Sequence, residues 1–115
     1  MQIRPFEADD EPAVIALWER CNLTRPWNDP RKDIARKLGV QREWFLVGTE
    51  NGRIVAAVMA GYDGHRGSVN YLAVDPQFRR RGHGGAMMRR VEEFYGRLGY
   101  APDEVVALGK RLITD

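Results

Sequence analysis

A single cysteine, Cys21, excludes an internal disulfide. It also excludes the disulfide frameworks by which small secreted domains compensate for thin cores. No window holds the run of about 20 apolar residues that a membrane-spanning helix needs. No stretch has the low complexity or apolar depletion of a disordered tail. The first residues, Met1-Gln2-Ile3-Arg4-Pro5-Phe6, lack the charged-then-apolar pattern of a signal peptide. These absences together point to the reducing cytoplasm, with no membrane association. Histidine is almost as scarce, with only His65 and His83, and neither a metal-ligand cluster nor the spacing of a nucleophilic triad is visible. A strong charge of one sign is missing as well. Eighteen basic residues against 16 acidic ones leave a net charge of +2, too mild by itself to imply nucleic acid.

What is present fits one folded domain spanning residues 1–115, with 43% hydrophobic and 30% charged residues. Gln2 to Phe6 is a short candidate strand. Asp10 reads as a helix N-cap with Pro12 in the first turn, and Val14, Leu17, Trp18 and Cys21 repeat at the spacing of one buried helix face. Asn22 to Asn28 reads as a loop. Asp29-Pro30 is a second N-cap followed by proline at the first helical position; Ile34 and Leu38 share a face of that helix, and Gly39 is its stop. The texture then becomes β-prone. Trp44 to Thr49, Ile54 to Ala60 and Val69 to Val74 are apolar runs separated by Asn51-Gly52 and Asp63-Gly64, which are turn signals. An antiparallel meander over residues 44–74 follows. Ile54 to Ala60 is continuously apolar, as a strand buried on both faces should be.

The chemistry-bearing segment comes directly after: Asp75-Pro76-Gln77-Phe78-Arg79-Arg80-Arg81-Gly82-His83-Gly84-Gly85-Ala86. The order is strand, glycine-rich basic loop, helix. A helix N-terminus presents backbone N–H groups and a partial positive charge. Glycines let an anion approach that backbone closely, and arginines add charge-assisted bonds to phosphate oxygens. The arrangement predicts a pyrophosphate cradle.

These residues resemble a known family. Arg79-Arg80-Arg81-Gly82-His83-Gly84 is similar to the Arg/Gln-x-x-Gly-x-Gly/Ala signature of the GCN5-related N-acetyltransferases (GNAT). Tyr71-Leu72-Ala73-Val74-Asp75-Pro76 resembles the family's fourth strand and its exit. Phe94-Tyr95-Gly96-Arg97-Leu98-Gly99-Tyr100 resembles its late helix. Trp27-Asn28-Asp29-Pro30 and residues 61–67 are similar to the YpeA-type bacterial acetyltransferases, and the resemblance covers nearly the whole chain. It implies an α/β (α+β) fold with a mixed, mostly antiparallel sheet flanked by helices. It implies acetyl-coenzyme A as co-substrate, with Arg79, Arg80, Arg81, Gly82, His83, Gly84 and Gly85 binding the pyrophosphate. The backbone of Leu72, Ala73 and Val74 would pair with the pantetheine arm, and Tyr95 would protonate the departing thiolate. Trp27 and Asn28 would border the acceptor site. The implied reaction moves an acetyl group to a primary amine of a small molecule or protein, with no metal.

One feature departs from the family pattern. The family has a further strand between the loop helix and the late helix, parallel to the fourth. Such a strand with its connections takes roughly 20 residues, and here Arg89-Arg90-Val91-Glu92-Glu93 runs straight into Phe94-Tyr95. Met87, Val91, Phe94, Tyr95 and Leu98 keep one helical face, so a single fused helix over His83 to Leu98 is expected, capped by Gly99. A last strand follows around Val105 to Ile113. The usual fifth strand would then be lacking, and one wall of the coenzyme slot with it, unless the last strand or a partner chain fills the place. The free edge of Val69 to Val74 would invite a homodimer.

Other readings of the same residues are plainer. Tyr95 on a helix face is by default a core aromatic, Trp27 a packed tryptophan, and Asn28 and Asp63 turn residues. His83, in the variable position of the loop, is expected at the surface, and His65 is a candidate base at neutral pH. Cys21 is expected to be an inert buried thiol. Two other functions compete: a non-catalytic acyl-coenzyme A binder or interaction module of the same fold, and a small nucleic-acid-binding domain using the arginine run. Too few basic residues and no aromatic platform argue against the latter.

Overall fold

The computed structural model describes residues 1–62 and 67–97 in full and the backbone of 105–107. The elements, in chain order, are β1 (Gln2–Pro5), α1 (Glu11–Arg20), α2 (Pro30–Leu38), β2 (Phe45–Glu50), β3 (Arg53–Tyr62), β4 (Gly67–Val74), α3 (His83–Arg97) and β5 (Val105–Ala107). The sheet order is β1-β2-β3-β4-β5. The first four strands are antiparallel to their neighbours, and β5 runs parallel to β4.

Local chemistry accounts for the boundaries. Asn51 and Gly52, at φ 52° and 78°, form the tight β2–β3 turn that only a residue pair tolerant of positive φ makes cheaply. The Asp29 carboxylate accepts from the Arg31 N–H at 2.9 Å, and Pro30 follows at the first helical position. Asp10 differs from expectation. Its carboxylate does not cap α1; it accepts from the Glu7 N–H at 2.8 Å and pairs with Arg4 at 2.7 Å, so it closes the short turn before the helix. Gly39 ends α2 with φ −85°, and the left-handed residue is Gln41, at φ 54°. Trp44 lies in a 3-10 turn, one residue before β2 begins.

Side-chain alternation along the strands divides the core between two faces. Phe45, Val47, Ala57 and Met59 meet Val14, Leu17, Trp18 and Ile34 of α1 and α2. Leu46, Ala56, Val58 and Ala60 meet Met87, Val91 and Tyr95 of α3. Both faces of β3 are therefore covered, which is why its sequence shows no polar alternation.

α3 is one unbroken helix of 15 residues from His83 to Arg97. As expected, the strand that the family pattern carries between the loop helix and the late helix is absent from this stretch. Its position beside β4 is taken, in the same parallel sense, by Val105–Ala107 from beyond the fused helix. The expected Gly99 cap, Leu98, Asp63, His65 and the remainder of the Val105 to Ile113 strand lie outside the described residues. Among the described residues, no helix is long and apolar enough to cross a membrane.

Candidate functional site

β4 is irregular where it matters. Met59 of β3 stands opposite Asn70 and Ala57 opposite Ala73, so β4 carries one extra residue at Tyr71-Leu72. Tyr71 has φ 56°. The result is a bulge, a device that bends a strand and interrupts its ladder. On the other side of β4, β5 pairs only with Gly67, Ser68 and Val69. The chain after Ala107 lies outside the described residues. The described pairing of β4 with β5 ends at Val69, and β4 runs on from the bulge to the loop before α3.

Two acids, one buried and one half-buried, hold that loop. Asp75 is 1% exposed. It pairs with Arg20 at 2.9 Å and Arg53 at 3.4 Å, and it accepts from the Gln77 N–H at 3.0 Å, starting a 3-10 turn at Pro76–Phe78. Glu50, at the end of β2, lies 3.2 Å from His83 Nε2 and 3.7 Å from Arg81 Nη1. The expectation of a surface His83 is corrected here: the ring is 7% exposed, because it turns from the start of α3 under the loop toward Glu50. Arg81 also lies over the Phe78 ring at 4.9 Å.

The three arginines thus divide their tasks. Arg79 donates through Nε to the Val74 carbonyl at 3.2 Å, and Arg81 is tied to Glu50. Arg80 is exposed, at φ 66°, and its guanidinium has no partner among the described residues. Gly82 has φ 79° and open space where a Cβ would be, so glycine is required there by conformation rather than by packing. The Ala86 N–H bonds the Gly82 carbonyl at 3.0 Å, beginning the helix ladder. Leu72 is half-buried; Ala73 and Val74 are buried. The Val74 carbonyl also accepts from Cys21 Sγ at 3.2 Å, and burial pushes the Cys21 thiol above its ordinary pKa, in keeping with an inert thiol.

Tyr95 sits at the other end. Twelve residues of helix from His83 return it about 18 Å along α3, and six residues of strand separate Val74 from Ser68, about 20 Å. Helix and strand therefore bring Tyr95 level with the start of β4. The ring is 1% exposed. Its hydroxyl accepts from the Ser68 N–H at 2.9 Å and faces the carbonyls of Ser68, at 2.9 Å, and Gly61. Burial raises its pKa, against the opposing effect of the Ser68 and Gly61 backbone bonds. The ring lies so close that a Cβ on Gly67 would overlap it.

On the opposite face, Trp27 is 80% exposed. Asn28 Nδ2 donates to the Tyr71 hydroxyl at 3.4 Å, and that hydroxyl donates to Asp33 Oδ2 at 2.5 Å. The Tyr71 ring stacks on Trp18 at 4.2 Å. Desolvation first, then the Asp33 carboxylate, push Tyr71 up to about 12, so it remains a protonated donor at neutral pH. The structure ties Asn28 to the bulge through Tyr71, with Trp27 next to it in the chain, whereas Tyr95 packs in the cluster on the other face of the sheet. Sequence reasoning missed Tyr71, Asp33 and Glu50. Tyr71 could have been noticed as the residue preceding Leu72-Ala73-Val74; the other two carry no local signal. Among the described residues, no group of His, Cys, Asp or Glu could hold a metal ion.

Comparisons with known proteins agree with this geometry. The sequence model of the acetyltransferase (GNAT) family matches residues 9–106. An acetyltransferase of Pectobacterium atrosepticum is 46% identical over 138 aligned positions, covering 100% of this chain and 98% of the relative. A chain of 115 residues fills only part of 138 positions, so the relative carries residues within the aligned stretch that this chain lacks. The crystal structure of Ard1 from Thermoplasma volcanium superposes with a TM-score of 0.69 at 26% identity, over 84% of this chain and 64% of that one. The NatB acetyltransferase complex bound to CoA and MES superposes with a TM-score of 0.70 at 20% identity, over 84% of this chain and 65% of that one. This chain thus spans just under two thirds of the length of either solved chain. With the loop, the bulged fourth strand and the parallel fifth strand in this order, the chain belongs to the acetyltransferase (GNAT) family and is an acyltransferase by kind.

Proposed function

We propose that the chain transfers an acetyl group from acetyl-coenzyme A to a primary amine of a small molecule or a protein. The observation that carries this reading is the bulge of β4 at Tyr71-Leu72, directly before the basic loop and the start of α3. An acyl-coenzyme A would run along β4 from the bulge to that loop. Its pyrophosphate would lie against the loop from Arg79 to Gly85, with Arg80 as the free cation and the backbone at Gly82, His83, Gly84 and Gly85 as the cradle. Its pantetheine amides would pair with the backbone of Leu72, Ala73 and Val74. The CoA-bound NatB structure, of the same fold, supports coenzyme A as the co-substrate.

In the proposed reaction a neutral amine attacks the thioester carbonyl, the C–N bond forms, and the C–S bond breaks as the thiolate leaves. The amine nitrogen gives up its extra proton to water, and the oxyanion that develops needs N–H donors, which the backbone of β4 at the bulge would offer. The thiolate needs a proton. Tyr95 is the donor that the resemblance implies, but here its hydroxyl must first leave the backbone of Gly61 and Ser68. That same geometry favours a second reading, a chain that binds acyl-coenzyme A and turns it over poorly.

The experiment measures free thiol released from acetyl-coenzyme A with a panel of primary amines. Amine-dependent release that saturates in both substrates supports transfer. Saturable binding of acetyl-coenzyme A with no amine-dependent release would select the second reading. A homodimer and a cytoplasmic location are part of the proposal, the former checked by sedimentation and the latter by cell fractionation.

A further inference from the structure

An open cleft of about 450 Å³ lies where the chain enters α2, lined among others by Trp27, Asn28, Arg31, Lys32, Asp33 and Arg36. Its charge is one-sided in a way the residue count hides. Both acids are occupied within the fold: Asp29 caps α2 through the Arg31 N–H, and Asp33 accepts from Tyr71 and pairs with Arg36 at 3.5 Å. Arg31 and Lys32 are exposed and have no ion-pair partner among the described residues. Beside them stands Trp27, 80% exposed, whereas Trp18 and Trp44 are 0% and 8% exposed. A tryptophan left in water next to two unpaired cations costs solubility without adding to the core. Asn28 ties this cleft to the bulge of β4 through Tyr71.

We infer that the cleft binds the far end of the acceptor and selects an amine that also carries an anionic group, with Arg31 and Lys32 pairing the anion and the Trp27 ring covering the chain between. The inference rests on the acetyltransferase reading and names its acceptor class. A cationic acceptor is disfavoured, because the carboxylates that would receive it are already bonded.

The test uses the full chain with and without coenzyme A. Tryptophan fluorescence is followed during titration with glycine, 4-aminobutyrate and 6-aminohexanoate, each against its amide, so that each pair differs only in the carboxylate. A saturable change is expected with at least one acid, and roughly tenfold weaker binding with its amide, as befits an exposed pair of ionic contacts. The R31Q/K32Q double variant should erase that preference while binding the amide unchanged, and Trp27→Phe should remove the signal. Equal binding of acid and amide, or no saturable change with any acid, overturns the inference. A thermal shift with acetyl-coenzyme A in the same preparation reports separately on the coenzyme slot, so the failure of one reading does not hide behind the other.

Discussion

The two ends of β4 behave differently. At the loop end, Val74 runs into Asp75, a buried acid tied to Arg20 and Arg53, and the chain continues through Arg79, Arg80 and Arg81 into α3. The residues proposed to meet the coenzyme at this end lie in one contiguous segment, braced from elsewhere by Arg20, Arg53 and Glu50. At the other end, Gly67 and Ser68 are met by Tyr95 from α3 and by β5 from far along the chain. That end is assembled from separated elements. Loss of a strand between them leaves the first end intact and rearranges the second. A contiguous motif survives an internal deletion, whereas a site built from distant segments is remade by it.

Variants sharpen this contrast. The largest expected effect is at the assembled end. Tyr95→Ala removes a buried ring and leaves the Ser68 N–H and the Gly61 carbonyl without their partner, for a loss of about 3–5 kcal/mol of stability. Chemical denaturation should show it, with an unchanged slope. A loss under 1 kcal/mol would mean that Tyr95 does not hold the strands together. Next comes Asp75→Ala at the contiguous end. Its partners Arg20 and Arg53 are partly exposed, 40% and 55% on their side chains, and can rehydrate, so the expected loss is about 1.5–3 kcal/mol. Weaker binding of acetyl-coenzyme A should accompany it.

Arg80→Gln is expected to leave stability within about 0.5 kcal/mol, since the side chain touches nothing in the fold. Affinity for acetyl-coenzyme A should fall by roughly tenfold or more, the loss of one charge-assisted phosphate contact. Calorimetric titration separates the two effects. The smallest effect is a pH dependence. Tyr71 has its folded pKa raised from 10.0 to about 12, so the folded state holds that proton more tightly than the unfolded chain does. The stability it contributes is complete below pH 10 and is lost as pH rises toward 12. Tyr71→Phe should flatten the alkaline limb of the stability curve in that window. An unchanged alkaline limb would place the Tyr71 hydroxyl in water rather than against Asp33.

Much of this was legible in the residues. The Asn51-Gly52 turn, the Asp29-Pro30 helix start, the doubly buried β3 and the fused α3 all follow from local patterns, and local patterns act through the backbone of a few neighbouring residues. The basic loop was legible for the same reason. The bulge at Tyr71-Leu72 was not, because a bulge is a mismatch between two strands and has no signature in either. Glu50 under the loop was equally hidden: it lies 33 positions from His83, and only the fold brings them together. The surface position expected of His83 failed because loop chemistry says nothing about which way the first residue of the following helix turns.

The central claim is that the basic loop and β4 still accept acetyl-coenzyme A although α3 runs unbroken where the family has a further strand. A thermal-unfolding titration with acetyl-coenzyme A, controlled by acetate and by pyrophosphate, tests it most directly. At about 100 times the dissociation constant, a ligand adds roughly 2.7 kcal/mol of apparent stability, which for a domain of this size is a rise of several degrees. The account predicts a saturable rise with the coenzyme ester and neither of its fragments. A cooperative transition that does not move at millimolar ester would contradict it, leaving a loop that keeps the motif without a slot behind it.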